Sequence, residues 1–351
     1  MSFREALAER IRAEGPLPLA RVMALANAHY YAHHLPFGTA GDFVTAPEIS
    51  QMFGELLGAA LADLWDRAGR PAVHLVELGP GRGTLMADLL RVTGRAGMAA
   101  PIHFVETSPR LAAEQKARIP AAIHHETLAT LPDDAPLLVV ANEFLDSLPL
   151  TQFERNALGW SLRTVAMEGD GFAFQAVEPV KLAMVPEAIR EAAEGSVFER
   201  NFAAEQVAAA LARRLALQGG AALLIDYGYE GPAIGDTLQA IAAGRFAEPL
   251  DALGKGDLSA HVDFASIAAA ARRAAPDGAP VAVHGPVDQG SFLLALGLRA
   301  RADRLKAAAS LERRAEVEAA VARLAGAGAM GRLFKVMALT GPGWPEPAGF
   351  R

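Results

Sequence analysis

The run Val76-Glu77-Leu78-Gly79-Pro80-Gly81-Arg82-Gly83-Thr84 constrains this 351-residue chain more than any other stretch. A segment from His74 to Leu78, apolar apart from His74 and Glu77, meets three glycines at alternating positions and then a helical pattern from Thr84 to Arg91. Such apolar character suits a strand buried on both faces, as in a parallel sheet. The glycines let the backbone turn sharply and approach a ligand closely, and the helix directs its N-terminus at that ligand. The loop reads Gly-x-Gly-x-Gly with an acid two residues before the first glycine, whereas the dinucleotide fingerprint is Gly-x-Gly-x-x-Gly without that acid. A pyrophosphate would be repelled by Glu77, while S-adenosylmethionine (SAM) carries an ammonium and a sulfonium that a carboxylate attracts. The loop therefore favours SAM over NAD, with a ligand-free strand-to-helix turn as the plain alternative.

A second acid extends the pattern. Ile102 to Glu106 reads as the next strand, and Glu106 follows Gly83 by 23 positions, near the spacing of about 20 at which a carboxylate grips ribose hydroxyls. Thr107-Ser108-Pro109 then opens a helix to about Arg118, proline being suited to a first turn. The expected cofactor-binding set is Glu77, Gly79, Gly81, Gly83 and Glu106, with Asn142, Gly41, Asp42 and Gln51 from the segments considered below.

Composition narrows the rest. With 52% apolar residues the chain can bury a large core in one elaborated domain or two smaller ones. No apolar run is long enough to span a bilayer, so no membrane insertion is expected. The start mixes Arg4, Arg10 and Arg12 with Glu5, Glu9 and Glu14, unlike a secretory signal or a mitochondrial presequence, which points to a cytoplasmic protein. Cysteine is absent, excluding disulfides and thiolate chemistry. A net charge of −7 with scattered basic residues offers no footprint for a phosphate backbone, so nucleic acid is not an expected substrate. The nine histidines show no metal spacing; neighbours such as His124 and His125 would point to opposite sides of a strand.

The expected organisation is a helical region with a cofactor lid over 1–66, the SAM-binding half of a sheet over 67–149, a β-hairpin insertion over 150–204, and the remainder of the domain over 205–351. Helices are read at Ser2 to Ala13, Leu19 to Tyr31 and Ile49 to Trp65, with Phe37 to Pro47 as a loop. From His74 to Phe144 strands and helices alternate, which implies right-handed crossovers and a parallel sheet. Strands are read to Leu78, to Glu106, near Ala122 to His125 and at Leu137 to Ala141. After Pro149, short alternating runs joined by Asn156 to Gly159 and Glu168 to Gly171 read as antiparallel hairpins. Pro179 to Arg200 reads as irregular, Ala204 to Leu217 as a helix and Ala221 to Ile225 as a strand. Thr237 to Ser259 reads as a loop, with Asp263 capping the next helix. Val281 to His284 and Leu333 to Leu339 complete seven core strands, with helices at Gln289 to Leu296, Arg299 to Ala308 and Leu311 to Leu324 between them. Tyr30, Tyr31, Phe53 and Trp65 fall at helical core positions.

Gly41-Asp42-Phe43-Val44-Thr45-Ala46-Pro47-Glu48-Ile49-Ser50-Gln51-Met52-Phe53-Gly54-Glu55-Leu56-Leu57-Gly58 closely resembles the MidA-type methyltransferases, the family of the mitochondrial complex I assembly factor that methylates an arginine. The resemblance continues through Glu77 to Gly83, Asn142-Glu143-Phe144-Leu145-Asp146-Ser147-Leu148-Pro149, Ile225-Asp226-Tyr227-Gly228, Ala260 to Phe264, Gln289 to Leu293 and Leu333 to Val336. It implies a class I SAM-dependent methyltransferase fold, Rossmann-like, of α/β class. It also implies a SAM cofactor and, from the eukaryotic members, a protein substrate carrying an acceptor arginine.

Methyl transfer asks the protein chiefly to position an acceptor and exclude water, with no metal or covalent nucleophile. A guanidinium acceptor needs carboxylates to hold its fork. Glu143 and Asp146 follow the fourth strand, on the carboxyl edge where doubly wound sheets bind ligands, and are the expected catalytic pair. Helix capping by Asp146 and a surface role for Glu143 is the bland alternative. Asn142 could instead meet the cofactor, and Gly41, Asp42, Glu48 and Gln51 belong to the expected lid, with a structural loop as its alternative. Asp226 ends the fifth strand on the same edge, and His261 with Asp263 could relay a proton, though packing suits a lone histidine better. Fold does not fix the acceptor, so a small-molecule or other-residue methyltransferase, or an assembly chaperone with a SAM site, remain the alternative functions.

Overall fold

The computed structural model describes residues 1–34 and 45–350. Its centre is a seven-membered sheet: β1 (His74–Leu78), β2 (Ile102–Val105), β3 (Ile123–His125), β4 (Leu137–Asn142), β5 (Gly220–Tyr229), β6 (Ala282–Asp288) and β7 (Phe334–Thr340). The order is β3-β2-β1-β4-β5-β7-β6. The first five are mutually parallel, and β7 runs antiparallel to both β5 and β6. An eighth, two-residue strand, Val262–Asp263, pairs with the end of β5. The seven strands read from the sequence are all present.

Alternation along the strands covers both faces. Leu75, Leu138, Val140, Leu223 and Ile225 pack with α4 (Gln51–Arg67) and α5 (Thr84–Arg95), and with α9 (Gln289–Ala295), α10 (Leu298–Lys306) and α11 (Leu311–Ala325). Their neighbours Val76, Leu78, Val139, Ala141 and Leu224 pack with α7 (Phe202–Gln218) and α8 (Phe264–Ala274). Two covered faces explain why these strands read as continuous apolar runs. Helix α4 can lie close against α5 because Gly54 and Gly58 face it: a Cβ on Gly54 would stand 2.6 Å from Asp88 Cβ.

The helices α1 (Phe3–Glu14) and α2 (Leu19–His33) do not join that core. They share a separate apolar cluster with Leu150, Val165 and Leu258. The insertion is a five-stranded antiparallel sheet of Thr151–Asn156, Gly159–Glu168, Gly171–Pro179, Val197–Arg200 and the two-residue strand Leu17–Pro18. Part of Pro179 to Arg200, read as irregular, is therefore a strand. Likewise Thr237 to Ser259, read as a loop, holds a small sheet of Gln239–Ala242, Arg245–Ala247 and Asp257–Ser259. Its hairpin turns through Ala243 (φ 52°) and Gly244 (φ 71°), the two positive angles of a tight hairpin loop, where asparagine or aspartate would have given the signal at the first position. Among the described residues, no helix is long and apolar enough to cross a membrane.

Gly220, at the start of β5, has φ 107° and would place a Cβ 2.0 Å from Leu137 O on β4. Gly220→Ala combines a left-handed penalty with backbone overlap and is expected to cost about 3–5 kcal/mol. Calorimetric melting should show a midpoint lower by roughly 5–10 °C; an unchanged midpoint would contradict this account of the β4–β5 junction.

Candidate functional site

The carboxyl edge of the sheet opens into a small cleft, part of it exposed to solvent, between the glycine loop, the end of β4 and α3 (Ala46–Ile49). Its lining includes Glu77, Gly79, Gly81, Asn142, Glu143 and Glu48. The glycines are used as the sequence suggests: Gly79, Gly81 and Gly83 have φ of 60°, 52° and 74°, a region that side-chain-bearing residues avoid. Gly83 forms the N-cap of α5. A Cβ on Gly79 would lie 2.8 Å from Phe144 Cδ2, so the turn can pass the β4 loop only without a side chain.

Glu77 is 3% exposed. Burial pushes its carboxyl well above the usual range, and the backbone N–H of Met86 partly offsets the shift. Its Oε2 has no hydrogen-bond partner among the described residues, and neither has Oδ1 of the buried Asn142. Two buried acceptors lining one cleft suit an ammonium group, because an unpaired buried acceptor is costly until a donor arrives. The cradle of positive-φ glycines and these two acceptors fit SAM.

Glu106 lies at the end of β2, half-buried. Its Oε1 accepts from Ser108 N at 2.7 Å and its Oε2 from Gln115 Nε2 at 3.1 Å. The same Gln115 nitrogen donates to Gly81 O at 2.8 Å, and Gln115 is fully buried. It thus links the glycine loop to Glu106, a role the sequence reading missed; its one trace is a polar residue on the inward face of the helix α6 (Pro109–Arg118).

On the opposite wall, Glu48 Oε1 accepts from Thr84 Oγ1 at 2.6 Å, and Arg82 Nη1 stands 3.8 Å from Glu48 Oε2. Gln51 behaves differently from the expectation: it is absent from the cleft lining, and its amide donates to Glu55 Oε1 at 3.3 Å. Glu55 anchors α10 through Arg301 at 2.7 Å, so Gln51 serves the helix packing. Gly41 and Asp42 lie outside the described residues.

Glu143 has φ 50°, uncommon for a residue with a side chain and a frequent mark of functional loops. Its Oε1 accepts from Asn142 Nδ2 at 3.1 Å and from Ala46 N at 3.3 Å. Desolvation, then the charge of Asp146, raises its carboxyl to about 7. Asp146 is 7% exposed; burial raises it to about 6, partly offset by the Tyr227 hydroxyl. Asp226 is fully buried, and its Oδ2 accepts from Leu145 N at 2.9 Å and Asp146 N at 3.2 Å. It therefore holds the backbone of the loop that carries both expected catalytic acids. His261 packs its ring edge-on against Tyr227 at 5.3 Å, while Asp263 caps α8 through Ala265 N and Ser266 N. Tyr30 and Phe53 are fully buried and Trp65 nearly so, while Tyr31 is half-buried with its hydroxyl near Asp257.

The elevated carboxyl of Glu77 links ligand binding to proton release, because a cation beside it favours the ionised form. SAM affinity is expected to rise with pH as the elevated Glu77 carboxyl ionises, with protons released on binding. Titration calorimetry in two buffers of different ionisation enthalpy measures this, and a pH-independent affinity without proton release would contradict it.

Comparison with known proteins agrees with this geometry. A family model of S-adenosyl-L-methionine-dependent methyltransferases matches residues 56–281. The "Protein arginine methyltransferase NDUFAF7, mitochondrial" of Mus musculus is 36% identical over 331 residues, spanning 83% of this chain and 73% of that protein. Its Drosophila melanogaster homolog is 33% identical over 376 residues, spanning 96% of this chain and 84% of that one. A Burkholderia thailandensis crystal structure with bound S-adenosyl-homocysteine superposes with a TM-score of 0.82 at 26% identity, covering 98% of this chain and 93% of that chain. Identity of this breadth, carried on the same fold, shows that the chain belongs to the MidA-type family of SAM-dependent methyltransferases.

Proposed function

We propose that this methyltransferase modifies an arginine side chain of a protein, and that the client is a subunit of a respiratory complex I type assembly. The names of the relatives support arginine. The observation that carries the reading is the acid-rich loop at the cleft: Glu143 lines it, and Asp146 on the same loop keeps Oδ1 without a partner among the described residues. A guanidinium is a planar fork of five donors that carboxylates match closely. SAM, when bound, supplies an electrophilic methyl group. The chain's part is to hold the acceptor nitrogen in line, exclude water and take the proton that this nitrogen loses as the new N–C bond forms. Glu143, with a carboxyl at about 7, is suited to that last role, since a base works best near the operating pH.

The test is incubation of purified protein with methyl-labelled SAM and an extract of cells lacking the gene, followed by mass spectrometry of the labelled products. Methylarginine in a protein is expected. Label confined to a small molecule or to another residue type would overturn the reading.

A further inference from the structure

Beside the cleft, the small sheet and α2 bring residues to the catalytic loop that the sequence leaves far apart. The strand Asp257–Ser259 is buried throughout. Asn27 of α2 ties it to the β4 loop: its Nδ2 donates to Leu258 O at 2.8 Å and Ser147 O at 3.0 Å, and its Oδ1 accepts from Leu258 N at 3.0 Å. Ala260 N donates to Asp146 O at 3.0 Å. Asp257, on the strand so tethered, and Asp146 both lie within electrostatic reach of Tyr31, whose hydroxyl meets Asp257. From β5, Tyr227 lies within electrostatic reach of Asp146 and near Ser259.

We propose that Asp257 and Tyr31 join Asp146 and Tyr227 in a pocket, continuous with Glu143 in the cleft, that binds the guanidinium of the acceptor. The proposal rests on the arginine reading above and assigns its substrate-binding residues. Two features support a cationic ligand. Glu143, Asp146, Asp226 and Asp257 gather in one region, and within it the hydroxyls of Tyr31 and Tyr227 stand near the carboxylates of Asp257 and Asp146, polar but without charge to neutralise them. Arg323 of α11 exerts an attraction on Glu143, but Asp146 Oδ1, 93% removed from solvent, still lacks a donor among the described residues. Burial, joined by repulsion from neighbouring acids at Glu143 and Asp226, holds Glu143, Asp146 and Asp226 above their ordinary range, a cost that an entering cation removes. The tyrosines also favour a wide, weakly hydrated guanidinium, which can reach several separated acceptors at once, over a compact ammonium.

The test uses Asp257→Asn and Tyr31→Phe in the full chain, assayed for methylarginine formation against serial dilutions of the extract. Each is expected to raise the half-saturating extract concentration by about tenfold or more, the loss of one hydrogen bond to a charged group. S-adenosyl-homocysteine affinity, measured by calorimetry, should stay within about twofold. Tyr31→Phe removes a single oxygen, so a melting midpoint near that of the wild type keeps the test valid if Asp257→Asn folds poorly. Half-saturation within about twofold of wild type for the folded variants would overturn the pocket while leaving arginine labelling by the wild type intact. A wild-type protein that labels no arginine would instead overturn the proposed function, and the pocket with it.

Discussion

Replacing Gly79 with valine is expected to abolish SAM binding, weakening it by about 10³-fold or more while leaving the fold intact. Two costs combine. At φ 60° a left-handed residue with a Cβ costs about 1–2 kcal/mol, and a β-branched one more. The new Cβ would also stand 2.8 Å from Phe144 Cδ2, an overlap worth about 1–3 kcal/mol where neighbours cannot yield. Phe144 cannot move freely, because it is followed by Leu145 and Asp146, whose N–H groups Asp226 holds. The loop itself must therefore shift, carrying Gly79 and Gly81 away from the cleft they line. Calorimetric titration with SAM checks this, and a dissociation constant within about fivefold of wild type would refute it. Gly79→Ala should show a smaller loss, since it keeps the strained angle and the clash without the branched side chain.

How far this site could be read from sequence depends on where each residue's partners lie. Glu77, Gly79, Gly81 and Gly83 were legible because strand, turn and helix follow one another, and all the information is within about ten positions. The sheet was legible for the same reason: β1, β2 and β4 are apolar runs flanked by helices with their own caps, such as Ser108 before α6. Glu143 and Asp146 could be placed on the right edge by topology alone. Tyr31, Asp257 and Gln115 could not, because their partners lie far along the chain: Tyr31 and Asp257 meet across 226 positions, and Gln115 reaches Gly81 across 34. The strand Asp257–Ser259 carries only three residues, too few for periodicity to show. Gln51 failed for a related reason: its polar side chain near a loop looked available, yet a glutamate one turn along the same helix takes its amide.

Glu143→Gln is expected to lower the rate of methyl transfer by about 10²–10⁴-fold, the usual yield of a positioned general base, with SAM affinity within about threefold of wild type. The amide keeps the shape of the side chain, so Ala46 N and Asn142 Nδ2 can still be met by its oxygen. What disappears is the negative charge and the capacity to take a proton. The pH profile separates this from a structural defect. Glu143 is raised to about 7 by burial and by Asp146, so in the wild type the ionised form is lost as pH falls through that value. The wild-type rate should therefore climb between about pH 6 and about pH 8 and then level off, with an apparent midpoint that belongs to the Glu143–Asp146 pair as a unit. Glu143→Gln should lose most of that slope, leaving the weaker dependence of Asp146, whose carboxyl lies at about 6. Rate measurements at saturating SAM across that range decide the matter. A variant retaining more than about a tenth of the wild-type rate, or one with the wild-type pH profile, would assign the proton to another group, and Asp146 on the same loop would be the first to examine.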